Sequence, residues 1–477
     1  MKVLLIKPHP GSVQFGLAPF FQTEPLGLEY VAAAIQSRGH SVSLVDLRFE
    51  GAAIRGLLER ERPQVAGISC VHILDAPATA RLAREIREFD HSIHVVVGGH
   101  AASAYPTALA DAEGVDTICI GEGERVMGDL CEALQARGSV EGVPSAMTRP
   151  TGGVFQRPKE NSGPQDLGSV APPDHSLVAR YQRHYCCLNY MPVWTMETTR
   201  GCPYRCRFCS VWQFYKGTTR FHSAANVRKD FEAVGHNVFV IDDIFWAEKE
   251  RSTDLARALL ASPERKAWML VQSRVDLVAG GGELLELWRP LARDFDIFFG
   301  FESPTHAGLD SLNKDFDVAS TVEAVRTARR LGFGVTGNFI INPDYTEDDF
   351  AALWDFLDEH KLYRVGFTIL TPLPGTHYFE SMREKVEVFD WSLYDLHHLL
   401  WQPRLPAEKF FELYCETWRR SVLHLGGRKK WWSWLRGVRP SQVPRMMRIM
   451  MRTQRLMDPR AYLRDHRLPC SQPADAP

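Results

Sequence analysis

The chain has 477 residues, enough for about three domains that each bury their own core. Hydrophobic residues make up 45%, charged residues 24%, and the formal net charge is -2, so no global positive field argues for nucleic acid as a partner. No apolar run reaches the roughly 18 residues that span a bilayer. The apolar stretch Val3 to Ile6, followed at once by Lys7-Pro8, is too short for a secretory signal. The expectation is a cytoplasmic protein whose ten cysteines are free thiols or metal ligands rather than a disulfide framework.

Residues 1–140 alternate between apolar strands and helical patterns. VLLI (3–6) predicts a buried strand. Leu26 to Arg38 has helical spacing and stops at Gly39. SVSLVD (41–46), VAGISC (65–70), HVVVGG (94–99) and DTICIG (116–121) predict four further strands. Near-continuous apolar strands separated by helices imply an α/β fold with a doubly wound parallel sheet. Such sheets bind ligands beyond the carboxyl ends of their strands. Residues 141–192, where Gly, Pro, Ser and Asp are frequent, read as a linker between domains.

Residues 193–375 form a second alternating series. Its predicted strands are 195–200, 237–243, 268–273, 296–302, 334–341 and 364–370, with helices such as 321–331 and 347–360 between them. Six such units suggest a partial (β/α) barrel, with chemistry at the carboxyl ends of the strands. Residues 376–477 read as a helical C-terminal region. Between Arg428 and Arg467 twelve Lys or Arg face two Asp, a local charge of about +10. RKKWWSWLRG (428–437) and RMMRIMMRTQRLM (445–457) put Trp and Met beside cations. On a helix these spacings give an apolar and a basic face, suited either to an anionic membrane surface or to packing as a cap on the barrel.

The chemistry concentrates in ETTRGCPYRCRFCS (197–210), directly after the first barrel strand. Cys202, Cys206 and Cys209 have CxxxCxxC spacing, with Phe208 before the last. Thiolates ligate iron–sulfur clusters, and three of them leave one iron open to another molecule. A structural zinc site would want a fourth protein ligand, and none is adjacent. Three incidental loop cysteines are the remaining reading.

With these cysteines the segment 193–375 resembles the radical S-adenosylmethionine (SAM) superfamily. The resemblance implies a [4Fe–4S] cluster on Cys202, Cys206 and Cys209 whose open iron binds SAM, and a 5′-deoxyadenosyl radical that takes hydrogen from an unactivated carbon. It places the acidic pair Asp242 and Asp243 at the SAM amino group. Arg274, after Gln272 and Ser273, would meet the SAM carboxylate, and Glu302 in GFES would meet the ribose. Asp242 reads equally well as a helix N-cap. Tyr204 and Tyr215, near the cluster, shape the pocket or simply pack.

The preceding doubly wound domain resembles the cobalamin-binding domain of cobalamin-dependent radical SAM enzymes. The matching residues are Ser69 at a strand end, the turn VVVGGHAAS with Gly98, Gly99 and His100, and the turn GEGE with Gly121 and Glu122. Glycine there lets the backbone approach the nucleotide tail. The D-x-H-x-x-G loop that carries a cobalt ligand in many such domains is missing. KPHPGSVQFG holds His9 without its Asp, so the lower ligand of cobalt is open. Without that resemblance the domain would read as a flavodoxin-like module lacking a cofactor.

Together the resemblances imply a two-SAM methyl transfer. One SAM supplies the methyl group to cobalamin. A second supplies the radical that removes a substrate hydrogen, and the resulting carbon radical takes the methyl group. Length, layout and the opening KPHPGSVQFGLAPFFQTEPLGLEY are similar to hopanoid methylases acting at the 3-position. That likeness implies a small-molecule lipid substrate, an electron donor such as flavodoxin or ferredoxin, and peripheral contact at the inner membrane surface. The competing readings are an oxidative cyclase acting on a porphyrin ester and a non-catalytic cobalamin or iron–sulfur sensor. No residue is singled out as catalytic beyond the cofactor contacts.

Overall fold

In this computed structural model the described residues are 1–10, 21–149, 153–187, 189–424, 447, 451 and 453–466. The strands in chain order are β1 (Lys2–Lys7), β2 (Phe21–Gln22), β3 (Ser41–Asp46), β4 (Val65–Ser69), β5 (His94–Gly98), β6 (Thr117–Cys119), β7 (Ala146–Thr148), β8 (Cys186–Cys187), β9 (Trp194–Met196), β10 (Thr199–Arg200), β11 (Arg220–Phe221), β12 (Asn237–Val240), β13 (Lys266–Ser273), β14 (Ala292–Glu302), β15 (Gly334–Ile341) and β16 (Val365–Ile369).

The first sheet has the order β3-β1-β4-β5-β6-β7. All neighbours pair in parallel except β6 and β7. All five residues of β4 are buried, as expected for a central parallel strand covered on both faces. One face packs Val31, Ile35, Val126 and Leu130 from helices Leu26–Gln36 and Gly123–Arg137. The other packs Leu57, Leu58, Leu82 and Ile86 from helices Ile54–Glu61 and Ala76–Phe89. The sheet is therefore doubly wound. Its chain order reverses between β1 and β4, where such folds open a ligand crevice.

The second sheet, β16-β15-β14-β13-β12-β9, is six-stranded, wholly parallel and in chain order, a partial (β/α) barrel. The first predicted barrel strand divides. Residues 194–196 join the sheet, while β10 leaves it to pair antiparallel with β11. The segment read as a linker contributes β7 to the first sheet, and β8, which pairs with β2. A 3-10 stretch, His175–His184, packs Val178 and Tyr181 into the core of the first domain.

The C-terminal region is helical. Helix Ala407–His424 lies on β16, where the Tyr414 hydroxyl donates to Phe367 O at 2.9 Å. Helix Pro459–Asp465 stacks Tyr462 on Phe411 with ring centroids 5.0 Å apart. This part is a cap on the barrel. The Trp-rich stretch 428–437 and residues 445, 446, 448–450 and 452 lie outside the described residues, as does most of the KPHPGSVQFG loop. Among the described residues, no helix is long and apolar enough to cross a membrane.

Candidate functional site

The carboxyl ends of the two sheets face one another across a single cavity of about 1780 Å³. The first domain lines it with Ser69, Gly98, Gly99, His100, Gly121 and Glu122. The barrel contributes Glu197, Arg200, Ser210, Asp243 and Gln272, and Tyr394 to His397 close one side. His9 is exposed and borders the same space.

On the first-domain wall, Ser69 Oγ is buried and has no hydrogen-bond partner among the described residues, so a polar group entering from the cavity would find a ready contact. Gly99 has φ +118°, and a Cβ there would lie 2.6 Å from Cys70 O. The Ser103 hydroxyl donates to Gly99 O at 2.8 Å and accepts from Gly121 N at 2.9 Å, coupling the two glycine turns. These turns leave room for a bulky tail against bare backbone, so the wall fits cobalamin. Gly99→Ala is expected to destabilise the first domain by about 1–3 kcal/mol and to lower its cobalamin content. Thermal unfolding and the corrinoid absorbance of the loaded protein check both effects.

His100 turns from this wall toward the barrel. Its ring stacks on Phe214 at 4.6 Å, and its Nε2 lies 2.7 Å from Ser210 Oγ. Desolvation drives its pKa down to about 4, so the ring is neutral at pH 7. Ser210 directly follows Cys209. The glycine turn of one domain therefore touches the cysteine loop of the other.

That loop starts at Gly201, whose φ of +92° and lack of a Cβ let Thr218 O approach; a Cβ would come within 2.0 Å of that oxygen. Backbone and side chains pin the loop from several directions. Arg207 N donates to Leu312 O at 3.2 Å, Asn313 Nδ2 to Arg205 O at 2.9 Å, and Trp212 Nε1 to Cys206 O at 3.1 Å. Burial raises all three thiols, Cys209 up to about 12. Lys314 and Arg274 pull Cys206 back down. The thiols thus keep their protons until a metal displaces them, and two cations wait beside the thiolates.

Arg274 lies 3.5 Å above the Tyr204 ring and pairs with Asp276 at 2.9 and 3.1 Å. Its Nη1 is buried and has no partner among the described residues. A guanidinium nitrogen left free beside three cysteines suits a carboxylate there. Glu302 ends β14 in the left-handed region at φ 60°, just past an irregularity in the ladder. Its carboxylate is 2.9 Å from Lys314. Strain of this kind in a buried charged residue accompanies functional positions. The sequence reading missed Lys314, which belongs to no motif and reaches the site only through the fold.

The acidic pair separates. Asp242 is buried and accepts from Thr198 N at 2.6 Å, Thr198 Oγ1 at 2.5 Å and Thr199 N at 3.1 Å, so it braces the exit from β9. Burial raises it to about 7 against those bonds. Among the described residues Asp243 accepts Gly201 N alone, at 2.9 Å, and its exposed side chain lines the cavity; desolvation within that cleft raises it to about 6. Of the two, Asp243 is placed to meet an ammonium group.

Glu122 also faces protein. Its oxygens accept from Arg200 at 2.9 Å and from Arg220 at 2.8 and 3.0 Å. Arg200 bonds Glu124 at 2.7 Å and Glu197 at 2.6 Å, and Glu197 also meets His222 at 2.9 Å. This buried network joins the turn after β6 to the exit of β9.

Comparison with known proteins follows the same division. Residues 17–130 match the B12 binding domain family, and residues 196–357 match the radical SAM superfamily. The chain is 28% identical to the hopanoid C-3 methylase of Methylococcus capsulatus, over all of this chain and 92% of that protein. It is 24% identical to the anaerobic magnesium-protoporphyrin IX monomethyl ester cyclase of Cereibacter sphaeroides, over 85% of this chain and 67% of that one. The structure of the cobalamin-dependent SAM radical enzyme OxsB, with aqua-cobalamin and SAM bound, superposes with a TM-score of 0.72 at 17% identity, covering 96% of this chain and 71% of that one.

Proposed function

Because the chain joins a B12-binding domain to a radical SAM domain, and so belongs with the cobalamin-dependent radical SAM enzymes, we propose that it methylates an unactivated carbon of a polycyclic triterpenoid lipid, a hopanoid at C-3. The observation that carries this reading is the likeness to the hopanoid C-3 methylase along the whole chain, C-terminal region included. A single cavity bounded by both domains is consistent with it, since methyl donor and radical source must reach the same carbon.

When bound, the cluster with SAM supplies a hydrogen-abstracting radical, and cobalamin supplies the methyl group. The protein's own residues hold and screen these groups. Cys202, Cys206 and Cys209 would ligate the cluster. Arg274 and Asp243 would take the SAM carboxylate and ammonium, and Glu302, held by Lys314, would meet the ribose. Asp242 acts through the backbone of 198–199, positioning rather than touching. Ser69, Gly98, Gly99 and Gly121 would seat the cobalamin tail. Tyr394, Leu373 and Leu396 add a wall that excludes water from a radical. A flavodoxin or ferredoxin would provide the electron. The basic Trp- and Met-rich residues of 428–457 would bring the enzyme to the inner membrane surface, where such a lipid resides.

The test is anaerobic incubation of cluster- and cobalamin-loaded enzyme with reductant, unmethylated hopanoid and methyl-deuterated SAM. The expected product is a hopanoid carrying one labelled methyl group, with deoxyadenosine released. Deoxyadenosine formation without labelled hopanoid would reject the substrate. New ring formation on a porphyrin ester without label transfer would favour cyclisation instead.

A further inference from the structure

Glu24, Glu29 and His175 meet where the first domain, the linker and the barrel converge. Glu24 precedes helix Leu26–Gln36, Glu29 lies in its first turn, and His175 opens the 3-10 stretch His175–His184. Asp230, on the other side of the imidazole, belongs to barrel helix Ala224–Ala233. One donor atom from each of Glu24, Glu29 and His175 lies within 4.8 Å of the other two. His175 Nδ1 is 2.8 Å from Glu29 Oε2 and 3.6 Å from Glu24 Oε2.

The hydrogen bonding of this cluster is incomplete. Glu29 is 0% exposed and Glu24 4%. Among the described residues, both oxygens of Glu29, Oε2 of Glu24 and Nδ1 of His175 have no hydrogen-bond partner, because the close imidazole contact lacks hydrogen-bond geometry. The other Glu24 oxygen accepts from the backbone and hydroxyl of Thr195. Among the described residues, no lysine or arginine pairs with Glu24, Glu29 or Asp230. Three carboxylates therefore surround one imidazole away from bulk water. Leaving that charge uncompensated costs several kcal/mol per ion.

The orientation of His175 indicates what compensates it. Nε2 is 3.0 Å from Asp230 Oδ1; in the tautomer that carries its proton there, Nδ1 is an acceptor facing two carboxylate oxygens, as binding a cation requires. That is the arrangement of a metal-bound histidine, whose second ring nitrogen is held by an outer carboxylate. The 2.8 and 3.6 Å separations bracket the ~3.3 Å edge of a tetrahedron with bonds near 2.0–2.1 Å. Mixed imidazole and carboxylate donors favour a borderline cation over magnesium or calcium.

We propose that Glu24, Glu29 and His175 bind a structural divalent cation, zinc in preference, which fastens the first domain and the linker to the barrel, with Asp230 as the positioning residue for His175. Glu24 also borders the cavity, but none of the three donors belongs to the cysteine loop, and the site does not depend on which substrate the cavity accepts.

Metal analysis of the anaerobic, cluster- and cobalamin-loaded protein tests it, the iron count showing that the cysteines are filled. One equivalent of zinc beyond the iron and cobalt is expected. Glu29→Gln and His175→Gln should lose it while keeping iron, cobalt and the far-ultraviolet dichroism of the parent. Should either variant fail to fold, the wild-type protein still decides. Chelator should remove the zinc and lower Tm, and added zinc chloride should restore both. No zinc, with Tm unmoved by chelator or zinc chloride, would overturn the proposal and leave a cluster held by protons. Undiminished zinc in both folded variants would overturn it equally.

Discussion

Cys206→Ala should give a folded protein with no iron–sulfur absorbance and no deoxyadenosine formed from SAM. Removing an outer partner of a metal ligand costs roughly 10- to 100-fold. Here an entire ligand goes, from a site with only three, so the loss should reach the background of the assay. The protein should survive the change. Cys206 is 7% exposed and sits in a loop pinned by Leu312 and Asn313, so losing one sulfur should cost about 1 kcal/mol of stability. Cobalamin should still bind, but more weakly than to the parent, because the His100–Ser210 contact joins the glycine turn to the cysteine loop. Iron content with absorbance, and deoxyadenosine by chromatography, are the measurements. Full deoxyadenosine output from the variant would remove the cysteine trio as cluster ligands.

Arg200→Met should have the largest effect on stability. The guanidinium is 6% exposed and stands between Glu122, Glu124 and Glu197, at 9%, 6% and 13%. Without it three nearly buried carboxylates face one another, with Arg220 and His222 at the edges. Breaking such a pair by deleting one partner costs about 3–5 kcal/mol, mostly from the charges left behind. For a unit of 150–250 residues that corresponds to a fall in Tm of roughly 10 °C. Adding Glu122→Gln, Glu124→Gln and Glu197→Gln to the same protein should recover part of the loss, since the stranded charges go too. A Tm for Arg200→Met within about 2 °C of the parent would show that the network contributes little.

The strands were legible because they are buried on both faces. A run such as VAGIS has no polar alternative to burial, and its length excludes a helix. β7 was not legible. It is three residues long, lies in a stretch rich in turn formers, and becomes a strand only because β6 offers it an edge. In the site, the cysteine loop could be read because its ligands are close in sequence. The acidic pair could be read only as a pair. Adjacent residues point in opposite directions, and nothing local says that Asp242 turns to Thr198 while Asp243 turns to the cavity. Glu122 shows the same limit, since the partners that engage it, Arg200 and Arg220, are distant in sequence. Lys314 has its role from a contact with Glu302 across the site, which no spacing rule contains.

With the ligands proposed above, the bond from His100 to Ser210 would tie the uptake of one prosthetic group to the uptake of the other. Inserting iron and sulfide would fix Cys209, hence its neighbour Ser210, hence the imidazole that follows the glycine pair. A corrinoid seated on that pair would stiffen the same chain of contacts from the opposite end. Linkage then requires that each tighten the other by an equal factor. During maturation, a half-loaded molecule would recruit its missing partner more strongly than an empty one does.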